Sequence, residues 1–162
     1  ALEAIVEVFP EAKYDFRPVK EVRSFREILQ HLVSDTQVHM GYAAGRSKEE
    51  SDKIAQTKYK GLKTRAELLK ALKDSFDYGD KVMADINEKN ATDIVTGMRG
   101  EKMTRFLAGI HSFSDVWDHY GNLVVYLRLN GIVPPDTANR QKQLEAERAK
   151  KGGAAKPEEH QH

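Results

Sequence analysis

The fold is decided by residues 103–129, which read MTRFLAGIHSFSDVWDHYGNLVVYLRL. Apolar side chains recur there at intervals of three and four residues, the spacing that places them on shared faces of an α-helix. The end of this run, residues 123–129, contains two valines and a tyrosine and would by itself also suit a β-strand. Because the apolar period is continuous through the whole run, we predict a single helix over residues 101–129, ended by Gly131 and the two prolines that follow.

Sequence signals on the amino-terminal side predict three more main helices. Residues 1–9 have apolar residues at helical spacing, and they resemble the last turns of a helix whose beginning is missing, since Pro10 forbids continuation. A capping box, which is Ser or Thr followed three residues later by Glu, opens two further helices. We predict these two helices over residues 24–43 and 64–88.

These elements predict an all-α protein of the four-helix bundle class, because only helices are clearly indicated and their connections suit bundle packing. The 162 residues are enough for one domain, which we place in residues 1–136. The polar tail in residues 137–162 is expected to be either a short extra helix or disordered. Residues 10–23 are expected to form an ordered loop, and the charged residues 44–63 a surface segment with one short helix.

Composition argues against several classes of protein. The chain has 26 basic and 25 acidic residues and a net charge of +1, so no electrostatic signal favours nucleic acid or an anionic membrane as a partner. No apolar run approaches the roughly 20 residues of a membrane-spanning helix. The absence of cysteine excludes disulfides and thiolate ligands and leaves the compartment open. Since the sequence starts at Ala1, a cytoplasmic protein and an exported protein that has lost a signal peptide both fit.

Histidines and aspartates at four-residue spacing are the main chemical signal. His31 and Asp35 are four residues apart on the second predicted helix, and the last helix carries His111, Asp115 and His119 at the same spacing. Residues four apart share one helix face, so facing pairs can direct several ligand atoms at one point, as in the metal sites of helical bundles. Imidazole and carboxylate together suit zinc, nickel, iron or manganese. The alternative is a set of solvated His–Asp pairs that occur by chance.

The last predicted helix has two contrasting faces. One face is polar but contains neither Lys nor Glu, which is typical of a cleft lining, and it consists of Thr104, Ala108, His111, Asp115, His119, Asn122 and Tyr126. The opposite face is apolar and consists of Phe106, Phe113, Tyr120 and Val124. We interpret this apolar face as core, with a dimer interface as the alternative. We expect His39 to be a surface or core histidine; the alternative is that it approaches the same cleft as His31, since it is eight residues farther along the helix.

Three runs of the sequence are similar to the DinB/YfiT-like family of metal-dependent enzymes. They are Tyr14-Asp-Phe-Arg-Pro18, then Glu21-Val-Arg-Ser-Phe25 leading to His31, and the long run Trp117-Asp-His-Tyr-Gly-Asn-Leu-Val-Val-Tyr-Leu-Arg-Leu-Asn-Gly-Ile-Val-Pro-Pro135. The resemblance covers about residues 7–136. It implies a four-helix bundle, often a homodimer, with a metal ion at one end of an open cleft.

The resemblance also implies a set of metal ligands. The family's site uses one histidine from the second helix and a pair four residues apart on the last helix, which here match His31, Asp115 and His119. Asp115 stands where this branch usually has histidine, whereas relatives such as mycothiol-dependent maleylpyruvate isomerase carry a carboxylate there and hold zinc. Zinc or nickel is expected first, and iron or manganese next.

From the same resemblance we expect roles for residues around the metal. Asp35 would orient His31 or accept a proton, while Asn122 and Tyr126 would line the cleft that binds a cofactor. The implied function is that of a divalent-metal-dependent enzyme acting on a small molecule, namely an S-transferase that uses a low-molecular-weight thiol, or a hydrolase. The alternative is a non-catalytic metal- or ligand-binding dimeric bundle with a degenerate site.

Overall fold

The computed structural model describes residues 1–59 and 61–152, and it is dominated by helices. A short 3-10 helix at Glu11–Lys13 follows the first helix, and a two-stranded hairpin precedes the fifth. The elements in chain order are α1 (Leu2–Val8), α2 (Phe25–Ala43), α3 (Lys48–Lys58), α4 (Arg65–Asp85), β1 (Ile94–Thr96), β2 (Lys102–Thr104), α5 (Arg105–Leu129) and α6 (Pro135–Gly152). The predicted all-α, bundle-type fold is confirmed, with the hairpin as an addition.

Capping boxes begin three of the helices. The Ser24 hydroxyl accepts a hydrogen bond from the backbone N–H of Glu27, and the Glu27 carboxylate accepts one from the backbone N–H of Ser24. The same exchange at Thr64 opens α4, so both predicted boxes are confirmed. A third box at Ser47 opens α3, the short helix expected within the charged segment. Each cap satisfies backbone donors that the helix leaves free, and is worth about 1 kcal/mol.

The helix α2 is central to the bundle, because it packs against α3, α4 and α5. An aromatic cluster ties α1 to the start of α2: the rings of Phe9 and Phe25 stack with their centres 4.0 Å apart, and Tyr14 lies 5.2 Å from Phe25. The buried Tyr14 hydroxyl donates a hydrogen bond of 3.0 Å to the carbonyl of Val6. The larger core cluster also includes, from the other main helices, Leu29, Leu32, Leu68, Leu72, Leu123 and Leu127.

The start of the last bundle helix was predicted wrongly. We expected it from residue 101, but residues 102–104 form β2, which pairs antiparallel with β1. The chain reverses between the strands at Gly100, whose φ of 82° is readily accessible only to glycine. Thr104 then caps α5, since its hydroxyl accepts a 3.2 Å hydrogen bond from the backbone N–H of Leu107. The strands are only three residues long, too short for a period of two to be recognised.

The apolar face of α5 is core only in part: Tyr120 and Val124 are partly buried and pack against the larger core cluster, whereas the other two members of the face are exposed, contrary to our interpretation. Phe106 is 50% exposed and Phe113 is 59% exposed, and the neighbouring Trp117 is 55% exposed. Instead, α5 buries the side that carries His119 together with leucines such as Leu123. The helix has more apolar residues than one buried face can hold, so the packing of α5 on α2 leaves the aromatic side turned outward.

The chain continues past the bundle into α6, which is 18 residues long and therefore longer than the short extra helix that we expected. Pro135 occupies its first turn, where the missing backbone N–H costs nothing. The Tyr120 hydroxyl of α5 donates a hydrogen bond to the Asp136 carboxylate and connects the two helices.

Residues 153–162 lie outside the described part of the chain. Within the described part, none of the helices is both long and apolar enough to cross a membrane.

Two leucines near the end of α5 test how strongly its buried side stabilises the fold. Leu127 is fully buried, whereas Leu129 on the same helix is 57% exposed. We expect Leu127→Ala to lower the free energy of unfolding by about 2–5 kcal/mol, because it removes buried apolar contacts and leaves a cavity. Leu129→Ala is the matched control and should change it by less than about 0.5 kcal/mol. Urea unfolding followed by circular dichroism measures both, and equal effects would contradict the assigned packing of α5.

Candidate metal centre

Two rows of polar side chains face each other where α2 packs on α5, and we call them the polar seam. Each row has the order His, Asp, His at four-residue spacing: His31, Asp35 and His39 on α2, and His111, Asp115 and His119 on α5. The rows run in opposite directions, since His31 is beside His119 and His39 is beside His111. The ring centres are 4.7 Å apart in the first pair and 6.4 Å apart in the second.

The three residues predicted as ligands are brought together at one end of the seam. His31, Asp115 and His119 each offer a ligand atom, and these atoms all lie within 4.8 Å of one another. His119 Nε2 is 3.5 Å from Asp115 Oδ1, close to the roughly 3.4 Å that separates two ligands of a tetrahedral zinc ion. The 4.7 Å between the imidazole centres also matches the roughly 5 Å expected for two histidines on one ion. The donor set therefore suits a borderline divalent cation, and ligand separations that reach up to 4.8 Å would have to shorten when it binds.

The second ring nitrogen of His119, Nδ1, points away from Asp115 and toward another carboxylate, as is common in metal-bound histidines. Within the described residues, its buried Nδ1 has no hydrogen-bond partner, and Asp118 Oδ2 lies 4.0 Å away, too far for a hydrogen bond. The Asn122 amide donates hydrogen bonds to the Asp118 carbonyl and, at 3.3 Å, to Asp118 Oδ2. Histidines that bind metals usually direct their second nitrogen at such a carboxylate, which fixes the orientation of the ring.

On the other helix, Asp35 lies between two histidines. Its Oδ1 is 3.6 Å from His31 Nδ1, and its Oδ2 accepts a hydrogen bond from His39 Nε2 at 3.3 Å. The Nδ1 side of His31 therefore faces Asp35, and Nε2 is the nitrogen available to the centre. Burial lowers the pKa of His31 in spite of the nearby Asp35 charge, so the imidazole is neutral near pH 7, the form that binds metal ions.

The two carboxyl groups of the seam have opposite pKa shifts. Burial raises the pKa of Asp115, and the negative charge of Asp35 raises it further. Burial would also raise the pKa of Asp35, but the hydrogen bond from His39 and the charges of the surrounding histidines outweigh it and lower the pKa. Asp35 is therefore the more readily ionised of the two carboxyl groups. The ionised form of Asp115 is less favourable, and a nearby cation would stabilise it.

Clefts open on both sides of the candidate ligands. One of about 650 Å³ is lined by His119, Asn122 and Tyr126 of α5 and by the segment that precedes α2. A second, of about 410 Å³, is lined by His31 and by polar residues of α2 and α3. A third groove of about 430 Å³ between α4 and α5 is apolar and contains none of the three ligand candidates. Small molecules can thus approach the centre from two directions.

The other predicted site residues have mixed outcomes. Asn122 and Tyr126 line the 650 Å³ cleft, but their polar groups already have partners: the Tyr126 hydroxyl donates a hydrogen bond to the carbonyl of Arg23 at 2.5 Å. His111 lies on the seam but is exposed and outside the three-residue cluster. Sequence reasoning missed the roles of His39 and Asp118. The spacing of His39, four residues after Asp35, was the available signal.

The fold and the centre together define a class, a helical bundle with a candidate metal site between two facing helices. The chain belongs to the DinB superfamily, whose family model matches residues 1–123. The family is metal-associated, which agrees with the ligand cluster. A solved structure of a protein from Exiguobacterium sibiricum, assigned to the DinB family, has the same fold with a TM-score of 0.61 and 21% identity. That similarity covers 80% of this chain and 81% of the other. No curated protein matches the sequence.

The contact between His39 and Asp35 predicts a pH dependence of stability. The hydrogen bond with Asp35 raises the pKa of His39 above its usual value of 6.5. The contact therefore stabilises the fold fully below pH 6.5 and is lost as the pH rises through the higher folded-state pKa. In chelator-treated protein, we expect His39→Gln to be more destabilising near about pH 5 than near about pH 8.

Urea unfolding at a series of pH values measures this effect. His111→Gln is the matched control, because His111 is exposed on the same seam and makes no hydrogen bond with Asp35. A stability difference between wild type and His39→Gln that does not change with pH would show that the contact carries no charge.

Proposed function

We propose that the protein is a divalent-metal-dependent enzyme that acts on a small molecule, as a thiol-dependent S-transferase or a hydrolase. The observation that carries the proposal is the convergence of His31, Asp115 and His119 within 4.8 Å at the wall of an open cleft. Three protein ligands leave one coordination position free, which is the arrangement of catalytic rather than structural zinc sites. Membership of the DinB superfamily also supports a metal-binding function.

The donor atoms favour particular metals. Two imidazoles and one carboxylate suit zinc or nickel, with iron or manganese as alternatives, and the chain has no thiolate to favour softer ions. Such an ion would lower the pKa of a thiol or water in the open position and so supply a nucleophile near pH 7. A low-molecular-weight thiol is the proposed cofactor of the transferase.

Asp35 is the proposed positioning residue and proton acceptor. Its lowered pKa keeps it ionised near pH 7, and its oxygen 3.6 Å from His31 Nδ1 can fix the tautomer that presents Nε2 to the centre. The same carboxylate would accept a proton released at the centre through a bridging water. Asn122 and Tyr126 shape the neighbouring cleft, and its volume of about 650 Å³ is typical of small-molecule sites.

Metal content tests this proposal directly. Purified untagged protein is expected to contain about one equivalent of a divalent metal, measured by plasma mass spectrometry. His31→Ala, Asp115→Ala and His119→Ala should each lose it, because each removes one of three donors. His111→Ala is the matched control on the same helix row, and should keep the metal.

Other outcomes would separate the alternatives. Retention of metal in Asp115→Ala alone would indicate a site of two histidines completed by water. A tightly held ion that exchanges no ligand with added chelating inhibitors would favour the non-catalytic metal-binding bundle. The absence of bound metal, with no uptake of zinc, nickel, iron or manganese, would contradict the proposal that the protein is a metal-dependent enzyme.

We also propose that the protein forms a homodimer through the aromatic side of α5. Phe113 and Trp117 are both more than half exposed, and their ring centres are 5.9 Å apart. Tyr120 continues this patch, with its ring 5.6 Å from that of Trp117. Neighbouring exposed aromatic side chains are characteristic of the centres of protein interfaces.

Sedimentation equilibrium tests the dimer. The double substitution Phe113→Ser and Trp117→Ser should weaken self-association at least about tenfold, because aromatic anchors at an interface are worth about 2 kcal/mol or more. Leu144→Ser on α6, where the side chain is 43% exposed, serves as the control. A monomeric wild-type protein at micromolar concentration would contradict the proposed interface.

A further inference from the structure

Arg23 differs from its neighbouring arginines in having no acidic partner in the part of the chain that the structure describes. Arg17 donates hydrogen bonds to both carboxylate oxygens of Glu27, at 3.1 and 3.0 Å, and Arg26 donates to both oxygens of Asp15, at 2.8 and 3.2 Å. Across the ranges 1–59 and 61–152, no hydrogen bond or ion pair involves the Arg23 guanidinium. A cation without a partner in an otherwise neutralised segment is available to a ligand.

Arg23 lines the 650 Å³ cleft together with His119. Asn122 and Tyr126, which are on α5 like His119, also line this cleft. Glu21 lines the same cleft, but its carboxylate is 3.7 Å from Lys20 Nζ and has that cation as its partner. The positive charge of Arg23 therefore belongs to a residue of the same cleft as one of the candidate metal ligands.

The backbone around Arg23 is fixed from two sides. Its carbonyl accepts the hydrogen bond from the buried Tyr126 hydroxyl of α5, and the next residue, Ser24, is the buried cap of α2. The backbone N–H of Phe25 adds a 3.0 Å hydrogen bond to the carbonyl of Phe16. The backbone that carries the Arg23 side chain is thus held in place at the rim of the cleft, which limits the positions that the guanidinium can reach.

The charge of Arg23 also reaches the ligand cluster. It contributes to the lowered pKa of His31, after burial, so the two groups are close enough to interact electrostatically. A divalent ion on two neutral imidazoles and one carboxylate would keep a net positive charge. An anion in the cleft would therefore be attracted both by this centre and by the guanidinium.

We propose that Arg23 binds a carboxylate of the substrate while the reacting group of the same molecule occupies the open position of the metal. The substrate class is accordingly a small carboxylic acid with a second donor group that can reach the metal. The planar guanidinium suits a carboxylate, because it can donate two parallel hydrogen bonds. This inference rests on the proposed function, since it requires a bound metal with an open position.

Two hydroxamic acids of matched length test the inference. Succinic monohydroxamic acid has a terminal carboxylate, butyrohydroxamic acid has a methyl group there, and the hydroxamate of each can occupy the open metal position. We expect calorimetry on metal-loaded wild-type protein to give about tenfold tighter binding of the carboxylate probe, the size of one charge-assisted hydrogen-bonding contact. Arg23→Gln should remove this preference and leave the affinity for butyrohydroxamic acid and the metal content unchanged.

The control is Arg140→Gln on α6, which should keep the preference because Arg140 is exposed and lines none of the described clefts. Equal affinity of the two probes for wild type, or a preference that survives in Arg23→Gln, would overturn the assignment of Arg23. An equal loss of both probes in Arg23→Gln would overturn it too, because the residue would then act on the centre and not on the carboxylate. A protein that binds no metal would instead refute the proposed function, and a loaded protein that binds neither probe would refute the open position on which this inference depends.

Discussion

The packing of α2 against α5 is the contact on which the rest of the structure depends. Part of this contact is apolar, with Leu29 of α2 and Leu123 and Leu127 of α5 fully buried in one cluster. Farther along, the same two helices hold the polar seam. Partly buried histidine and aspartate side chains lose hydration without gaining apolar contacts, so the seam does not stabilise the interface by itself. The leucines supply the free energy that keeps the seam closed.

Because the leucines stabilise the α2–α5 contact, the polar seam can hold half-buried charged groups close together, as binding sites do. Asp35 and Asp115 are both half-buried on facing rows, and the charge of Asp35 contributes to the raised pKa of Asp115. His39 compensates Asp35 through a hydrogen bond, whereas the single ion-pair contact of Asp115 among the described residues is the 3.5 Å contact with His119. The arrangement is less stable than an apolar interface would be, which is the usual relation between function and stability at such sites.

Much of the fold could be predicted because its signals are local. The capping boxes at Ser24 and Thr64 and the period of the apolar residues determine where α2 and α4 begin. The four-residue spacing placed the candidate ligands on single faces, and two facing helices then brought them together. The outward aromatic side of α5 could not be predicted, because apolar residues occupy several of its faces and the neighbours decide which is buried. Arg23 escaped notice for a similar reason: a free guanidinium is recognised only when the partners of Arg17 and Arg26 are known.

The order His, Asp, His reads the same from either end, and it is repeated on two helices that run in opposite directions. The seam therefore has an approximate internal twofold symmetry in its chemistry, with equivalent residue types at both ends. Its geometry breaks that symmetry, since the imidazole centres are 4.7 Å apart at the His31 end and 6.4 Å apart at the His39 end. Which end can hold an ion is thus a property of how the side chains of the two crossing helices are spaced, and the residue types alone do not determine it.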